Sequence, residues 1–137
     1  MNKELEKIGE RLRTQDNRCT ADPMFCVQIK VRDVGFHPGY TSGVCWYNPE
    51  EEEVIYDDDP DFKEPEGDGW EKYGYKDRWE DVMVAFTEEG CKEYLALNGH
   101  NDRRRAHNGE VRTYVKSFYR CPEMIVIRKA LMDGVKA

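Results

Sequence analysis

The chain has 137 residues, which is the size of one ordinary domain, so we expect a single domain over residues 1–137. Five Phe, eight Tyr and three Trp supply enough large side chains for a core, which excludes a wholly disordered chain. The net charge is -7, no stretch approaches the roughly eighteen apolar residues of a membrane span, and the start MNKELEKIGERL lacks a signal-peptide pattern, so we expect a cytoplasmic protein.

The first predicted element is a helix within residues 1–15. Asn2 can cap its beginning, and Leu5, Ile8 and Leu12 recur at helical spacing. These three residues form a narrow apolar stripe, so we expect the helix to lie on a sheet.

Three strands and a long loop are predicted in the next part of the chain. The run MFCVQIKVRDV alternates apolar and polar residues, which is typical of a half-buried strand. Further on, VCWY and EVIY flank NPEEE, which predicts the two strands of a hairpin. From residue 57 to residue 76 the Asp, Pro and Gly content predicts an exposed acidic loop, and loops of this length are uncommon in compact domains without a functional role.

Residues 80–135 are predicted to form a strand, a helix, a strand and a helix. Residues 82–86 are a compact apolar strand, and Thr87 is expected to cap a helix that ends about three turns later at Gly99. A crossover makes the next strand, VRTYVKSFY, parallel or nearly parallel to the strand before the helix. Pro122 and Glu123 open the last helix, although MIVI alone could also be a strand. These elements predict an α+β fold, in which a mixed β-sheet of about five strands carries two or three helices on one face.

The cysteines and histidines do not form a recognisable catalytic or metal-binding pattern. We interpret the five cysteines, which lack CxxC spacing, as reduced, buried thiols: Cys19, Cys26, Cys45, Cys91 and Cys121. His100, His107 and Cys121 match no familiar zinc finger, so we expect no metal and no cofactor. We expect instead that His100 caps the helix end and that His107 sits in a turn. A nucleophilic pair of Cys91 and His100 is disfavoured because Cys91 is predicted on the core face of its helix.

The acidic residues are concentrated in one segment. Residues 50–68 contain eleven Asp and Glu side chains and one lysine, a local charge of -10 against -7 for the whole chain, so all other residues sum to +3. A weaker basic bias occurs in NDRRRAHNGEVR. We therefore expect one acidic and one basic region on the folded chain.

Three strings of this sequence carry a resemblance to a known group of proteins. ADPMFCVQIKVRDVGFHPGY with a following Trp46, then FTEEGCKEYLALNGHN, then YVKSFYRCPE, resemble short proteins encoded by bacteriophages and prophages. The resemblance implies a phage genomic context but no activity and no catalytic residues. This chain also inserts DRRRAHNGE where the group's pattern is shorter.

Two interpretations of the acidic segment follow. The segment can be a solvated loop that keeps a small protein soluble, or it can imitate a nucleic acid and bind a basic host protein or ribonucleoprotein complex. The second hypothesis is a non-enzymatic phage inhibitor of the anti-CRISPR or anti-restriction type, by analogy with small acidic phage proteins of that class. Its candidate binding residues are Glu51, Glu52, Glu53, Asp57, Asp58, Asp59 and Asp61.

Other functions are weighed against this hypothesis. A metal-dependent nuclease could use Asp57, Asp58, Asp59, Asp61 and Glu64, but no Glu-x-Lys pair follows to complete a restriction-type site. A nucleic-acid-binding accessory protein could contact phosphates through a basic set and stack bases on Tyr114 or Phe118. That basic set is Arg103, Arg104, Arg105, Arg112 and Lys116. A homodimer, in which the basic loop of one copy meets the acidic loop of another, is the last alternative to a monomer.

Overall fold

The α+β class is confirmed in the computed structural model, which describes residues 2–18 and 20–134. The described residues form three α-helices and five β-strands, with short 3₁₀ turns at Pro38–Tyr40 and His107–Gly109. In chain order the elements are α1 (Lys3–Thr14), β1 (Pro23–Phe36), β2 (Gly43–Asn48), β3 (Glu53–Tyr56), β4 (Glu71–Ala85), α2 (Glu88–Arg105), β5 (Val111–Ser117) and α3 (Pro122–Asp133). None of these helices is both long and apolar enough to cross a membrane.

The five strands form an antiparallel sheet in the order β3-β2-β4-β1-β5, so the expectation of a mixed sheet is wrong. The strands on either side of α2 do run in the same direction, as a crossover requires. They are not neighbours, however, because β1 lies between them and pairs with each. The local sequence predicted the crossover but could not show that it passes over another strand.

The described residues group into two compact units. The helical unit comprises the described residues of the ranges 2–29 and 80–134, without residue 19, and contains the three helices. The acidic unit comprises residues 30–79 and contains β2, β3 and the acidic segment, residues 50–68. The long strands β1 and β4 contribute residues to both units.

The core of the helical unit lies between α2 and the sheet. Phe25, Val27 and Cys91 form its fully buried centre. Side chains from β4, α2 and β5 pack around this centre: Val82, Met83, Ala85, Tyr94, Leu95, Val111 and Val115. The prediction of a half-buried β1 is wrong for its first half, because both faces are buried from Pro23 to Ile29. On one face Phe25 and Val27 pack against Cys91 of α2, and on the other face Gln28 is hydrogen-bonded to Asp81 and Arg112.

The first helix begins as predicted but packs differently. The Asn2 side chain accepts a hydrogen bond of 2.7 Å from the amide of Glu4, which is the expected N-cap. Leu12 is fully buried, whereas Leu5, the first residue of the predicted stripe, is exposed. The helix contacts α3, and Gly9 allows the two backbones to approach closely.

We expect Gly9→Ala to destabilise the protein, although alanine is the better helix former by about 1 kcal/mol. A Cβ atom at this position would overlap the backbone carbonyl of Leu131, so α1 and α3 would have to move apart. The expected net loss is roughly 1–2 kcal/mol of unfolding free energy, measured by urea denaturation. Lys7→Ala, at an exposed position of the same helix, is the control and should change stability by under about 0.5 kcal/mol.

The second helix is longer than predicted. Thr87 caps it, since its hydroxyl accepts a hydrogen bond of 2.9 Å from the amide of Gly90. Gly99 does not end the helix but lies inside it at a buried position, and the chain leaves the helix at Ala106. The stop is provided by the turn that follows, where Asn108 and Gly109 adopt positive φ angles of 55° and 69°.

This longer helix changes the positions of the basic and histidine residues. The arginines of the predicted loop, residues 103–105, form the last turn of α2, where positive charge complements the helix dipole. His100 lies on an exposed face inside α2 and does not cap its end, whereas His107 begins a turn as expected.

The hairpin, the last strand and the last helix are found where they were predicted. In the hairpin β2 pairs with β3, from Cys45 opposite Tyr56 to Asn48 opposite Glu53. The acidic loop is shorter than the predicted range 57–76, because residues 71–76 belong to β4. Their pairing with β2, Cys45 opposite Tyr73 and Gly43 opposite Tyr75, makes them a strand despite their polar composition.

The thiols follow the prediction in part. Cys26, Cys45 and Cys91 are reduced and buried, and burial raises the pKa of the Cys26 and Cys91 thiols to about 11. Cys121 is half-buried, so its predicted burial is wrong, and it precedes the first turn of α3. Cys19 lies outside the described residues.

Candidate functional site

A buried arginine organises the acidic unit. The Arg32 side chain on β1 is 2% exposed and donates two hydrogen bonds, of 2.9 and 2.7 Å, to the carboxylate of Asp58. On its other edge it donates two more, of 2.7 and 2.9 Å, to Asp77 on β4. Lys30 lies 3.5 Å from the same Asp77. This bidentate geometry on two carboxylates is one that a guanidinium can form and an ammonium cannot.

Two tyrosine rings complete the surroundings of Arg32. The guanidinium carbon lies 3.7 Å from the ring centroid of Tyr75 and 4.8 Å from that of Tyr56. Burial by itself lowers the pKa of Arg32, but the hydrogen bonds with Asp58 and Asp77 outweigh it and hold the pKa above its ordinary value. The pKa of Asp77 is correspondingly lowered, mainly by the hydrogen bonds from Arg32. Arg32 and Asp77 therefore both stay charged at physiological pH.

The start of the acidic loop is attached to the sheet at four successive points. Asp57 accepts hydrogen bonds from the Tyr75 hydroxyl, at 2.6 Å, and from the Val44 amide, at 3.0 Å. Asp58 is bound to Arg32, and Asp59 accepts a hydrogen bond of 3.3 Å from the Tyr56 amide. The ring of Phe62 stacks on Trp46 with centroids 5.3 Å apart. Residues 57–62 are therefore held against strands β1, β2, β3 and β4.

The seven predicted acidic binding residues divide into two groups. Asp57, Asp58 and Asp59 bond to the sheet as described above, which makes them supports of the fold. The other four have exposed side chains at the hairpin turn and farther along the loop: Glu51, Glu52, Glu53 and Asp61. The hairpin turn is itself ordered by Asn48, whose side-chain oxygen accepts hydrogen bonds of 3.0 and 3.3 Å from the amides of Glu50 and Glu51.

We name these four exposed side chains, Glu51, Glu52, Glu53 and Asp61, the acidic surface. They lie in the same unit as the anchored aspartates, and none of the hydrogen bonds or ion pairs found among the described residues involves their carboxylates. Exposed carboxylates with these positions can attract a cationic partner without first breaking an internal bond.

The predicted basic residues also divide into two groups. Arg103, Arg104 and Arg105 are exposed in the last turn of α2. On β5, Arg112 donates a hydrogen bond of 2.8 Å to the Gln28 side chain and lies over the ring of Tyr114. Lys116 forms an ion pair with Asp81, whose pKa is lowered mainly by hydrogen bonds from Lys116 and Gln28. The two β5 cations would have to leave these partners to bind phosphate.

Three of the carboxylates that a nuclease would use are hydrogen-bonded within the fold. Asp57, Asp58 and Asp59 accept hydrogen bonds from Tyr75, Arg32 and the Tyr56 amide, respectively. Within residues 2–18 and 20–134, no three His, Cys, Asp or Glu side chains are placed to hold one metal ion. The three aspartates are therefore bonded within the fold.

Sequence reasoning missed Arg32, which it placed on the solvent side of a half-buried strand. The alternation of β1 correctly placed Arg32 on the strand face opposite the apolar residues. Alternation does not reveal, however, which residues of other strands pack on that polar face. The nearest signal was the run of three aspartates after the hairpin, a surplus of negative charge that needs a cation if any of it is buried.

Comparison of the chain with protein-family models, with curated proteins and with solved structures gives no match. The fold and the geometry of the acidic unit are therefore the basis for a functional proposal.

Proposed function

We propose that this protein is a phage-encoded, non-enzymatic binding protein that inhibits a host nucleic-acid-handling or defence complex, of the anti-CRISPR or anti-restriction type. It acts in the bacterial cytoplasm and uses its acidic surface to imitate a nucleic acid. The observation that carries the proposal is the attachment of residues 57–62 to the sheet by Arg32, Tyr75 and Trp46.

Rigid attachment matters because a mimic must hold its charges in place before the partner arrives. Duplex DNA carries one negative charge per about 1.7 Å of its axis, and a basic channel is built to match that density. A floppy acidic tail would lose conformational entropy on binding, at about 1–2 kcal/mol for each residue fixed. An acidic segment that is already bonded to its sheet avoids much of that cost, which favours fast, salt-dependent binding.

The anchored aspartates and the acidic surface have different roles in this proposal. Asp58 and Asp57 hold the loop, and Glu51, Glu52, Glu53 and Asp61 meet the partner. If all seven residues were neutralised together, a loss of binding could therefore not be distinguished from unfolding of the chain.

We expect neutralisation of the acidic surface alone, in Glu51→Gln/Glu52→Gln/Glu53→Gln/Asp61→Asn, to abolish capture of the host partner while the fold is unchanged. The four changes remove negative charge from exposed positions, which should lower affinity at low salt by about tenfold or more. The measurement is capture from a bacterial lysate at low and at high salt, with plating of a restricted or CRISPR-targeted phage as the functional readout.

The matched control removes four exposed carboxylates from the helical unit, in Glu4→Gln/Glu6→Gln/Glu89→Gln/Glu123→Gln. The net charge changes equally in the two variants, so only the position of the charge differs. Capture and phage protection should survive in the control. Equal behaviour of the two variants would refute a localised acidic surface.

A second candidate function is nucleic-acid binding through Arg103, Arg104 and Arg105, favoured by their exposure in the last turn of α2. Arginine forks suit phosphate oxygens. A gel shift with DNA and with RNA at two salt concentrations tests this function. Retardation that disappears when the three arginines are changed to glutamine would support it, and no retardation at low salt would eliminate it.

A further inference from the structure

The two edge strands of the sheet, β3 and β5, are protected to different degrees. An edge strand presents unpaired backbone N–H and C=O groups, which proteins usually cover or guard with charge. On β3 the Tyr56 amide donates to the Asp59 side chain, at 3.3 Å, and the Tyr56 carbonyl accepts from the Asp59 amide, at 3.2 Å. No comparable backbone cover is found along β5 within residues 2–18 and 20–134.

The strand register shows which backbone groups of β5 face away from β1. The Phe118 amide donates a hydrogen bond of 3.1 Å to the carbonyl of Asp22, so these two residues form a hydrogen-bonded pair. In an antiparallel ladder such pairs recur at every second residue. The residues between them therefore direct their N–H and C=O groups to the open side of β5: Val111, Thr113, Val115 and Ser117.

The charged side chains of β5 do not guard this open side. Arg112 donates a hydrogen bond of 2.8 Å to Gln28 on β1, and Lys116 forms an ion pair with Asp81 on β4. Both side chains therefore reach back across the sheet. The helix α2 packs on the core residues of β1, one strand in from the edge. The edge of β5 is thus available for pairing with another strand.

We propose that β5 pairs antiparallel with β5 of a second copy of this chain, about a two-fold axis at Thr113. Such pairing requires outward residues to lie opposite one another, and an axis at Thr113 meets this condition. It sets Thr113 opposite Thr113 of the second copy, and Val111 opposite Val115. Each of these pairs exchanges two backbone hydrogen bonds across the axis.

The side chains on the other face of the strand favour the same register. Glu110, which is extended just before β5, lies opposite Lys116 of the second copy, and Arg112 lies opposite Tyr114. Opposite charges, and a cation beside an aromatic ring, both stabilise cross-strand pairs. The edge is therefore complementary to itself, which selects a second copy as its occupant.

Other two-fold registers are less favourable. An axis at Tyr114 would set Arg112 opposite Lys116 of the second copy, and like charges directly opposite destabilise a strand pair. An axis at Val115 would leave Arg112 beyond the end of the second copy's strand at Ser117. The axis at Thr113 avoids both problems.

The charge around β5 gives this dimer an unusual salt dependence. Dimerisation brings two basic regions together, since residues 103–120 contain one acidic side chain, Glu110, and six basic ones: Arg103, Arg104, Arg105, Arg112, Lys116 and Arg120. Salt screens their repulsion, so the dimer should strengthen as the ionic strength rises. A dimer in which basic residues of one copy meet the acidic segment of another would weaken instead.

Sedimentation equilibrium of the full chain, over a range of concentrations at low and at high salt, is the first test. We expect a monomer–dimer equilibrium that shifts toward the dimer at high salt. A chain that stays monomeric at every concentration, or a dimer that weakens with salt, overturns the proposal. A monomeric chain whose β5 variants nevertheless lose capture of a host protein would assign this edge to that protein.

Two proline substitutions at neighbouring positions locate the interface. Thr113→Pro removes an outward N–H, which an edge strand tolerates, whereas Tyr114→Pro removes an N–H that faces β1. Thr113→Pro should stay folded by circular dichroism and raise the dissociation constant of the dimer about tenfold or more, because both copies lose a donor at the axis. Tyr114→Pro should instead unfold at a markedly lower temperature. A folded Thr113→Pro chain that dimerises normally overturns the proposal.

A cross-link provides a test that does not depend on a proline. The Cα atoms of a hydrogen-bonded antiparallel pair are about 5.5 Å apart, a distance that a disulfide spans. Thr113→Cys should therefore form a linked dimer under mild oxidation faster than Val126→Cys, at an exposed position of α3. Equal rates of linkage for the two variants would contradict an axis at Thr113.

Discussion

Replacement of Arg32 by leucine is expected to lower the free energy of unfolding by about 3 kcal/mol. The change removes a side chain that is 2% exposed and leaves Asp58 and Asp77 without the cation that both carboxylates bind. The expected loss is at the lower end of the range for breaking a buried ion pair, because Asp58 is 44% exposed and keeps part of its hydration. Urea denaturation followed by fluorescence measures the loss.

The control for this change is Arg78→Leu. Arg78 also bonds to an aspartate, Asp33 at 2.9 Å, but both side chains are exposed, so the loss should be under about 1 kcal/mol. A second variant tests the cause. Arg32→Leu/Asp77→Leu removes both members of one pair and should recover part of the stability, because the less exposed of the two carboxylates is removed together with the guanidinium. Similar losses for the Arg32 and Arg78 changes would show that Arg32 is not the organising residue.

The same network predicts how stability depends on pH. Arg32 lowers the pKa of Asp77 below its ordinary value of 3.8, so Asp77 binds its proton less readily in the folded state. Its stabilising contribution is therefore fully present above that value and is lost as the pH falls through the lowered folded pKa. The stability difference between the natural chain and Arg32→Leu should shrink accordingly below about pH 4. A difference that stays constant into strong acid would contradict the ion-pair explanation.

Phe25→Ala is expected to have the largest effect on stability, a loss of about 3–5 kcal/mol. Phe25 is fully buried in β1 and packs with Val27 and Cys91 at the centre of the helical unit. Removing its ring takes away a large apolar surface and leaves a cavity that the sheet and α2 cannot easily close. Thermal unfolding followed by circular dichroism should show a marked decrease in the midpoint.

Phe36→Ala is the matched control, because it is the same substitution near the other end of the same strand. Phe36 is exposed, and Lys76 lies over its ring at 4.7 Å, so the expected loss is under about 1 kcal/mol. An equal effect of the two substitutions would show that burial at Phe25 is not the source of stability. Because the proposed binding depends on a folded frame, the Phe25→Ala chain should also capture less partner.

The division of the acidic segment into supports and surface has a consequence for any mutational study. Asp57, Asp58 and Asp59 look like the strongest part of a charge run, yet each is hydrogen-bonded to the sheet. A loss of binding after their replacement would say little about electrostatic recognition. The informative changes are those at Glu51, Glu52, Glu53 and Asp61, whose side chains are exposed.

Several elements of the fold could be predicted from the sequence because their signals are local. Residues close together in the chain determine the Asn2 and Thr87 caps, the VCWY and EVIY hairpin, and the helix Pro122–Asp133. Alternation and capping depend on backbone geometry over a few residues, and the native structure preserves them. The concentration of eleven carboxylates in residues 50–68 is likewise a property of the sequence alone.

Tertiary structure decided the features that depend on distant partners. Arg32 meets Asp58 and Asp77, which are 26 and 45 residues away, and only the strand register brings them together. The same long-range pairing buries both faces of the first half of β1, makes residues 71–76 a strand, and gathers Val34, Tyr47, Val54 and Tyr73 into one groove. The sequence shows whether each side chain is polar or apolar. Whether that side chain is buried, paired or exposed depends on the free energy of contacts that form when distant strands pair.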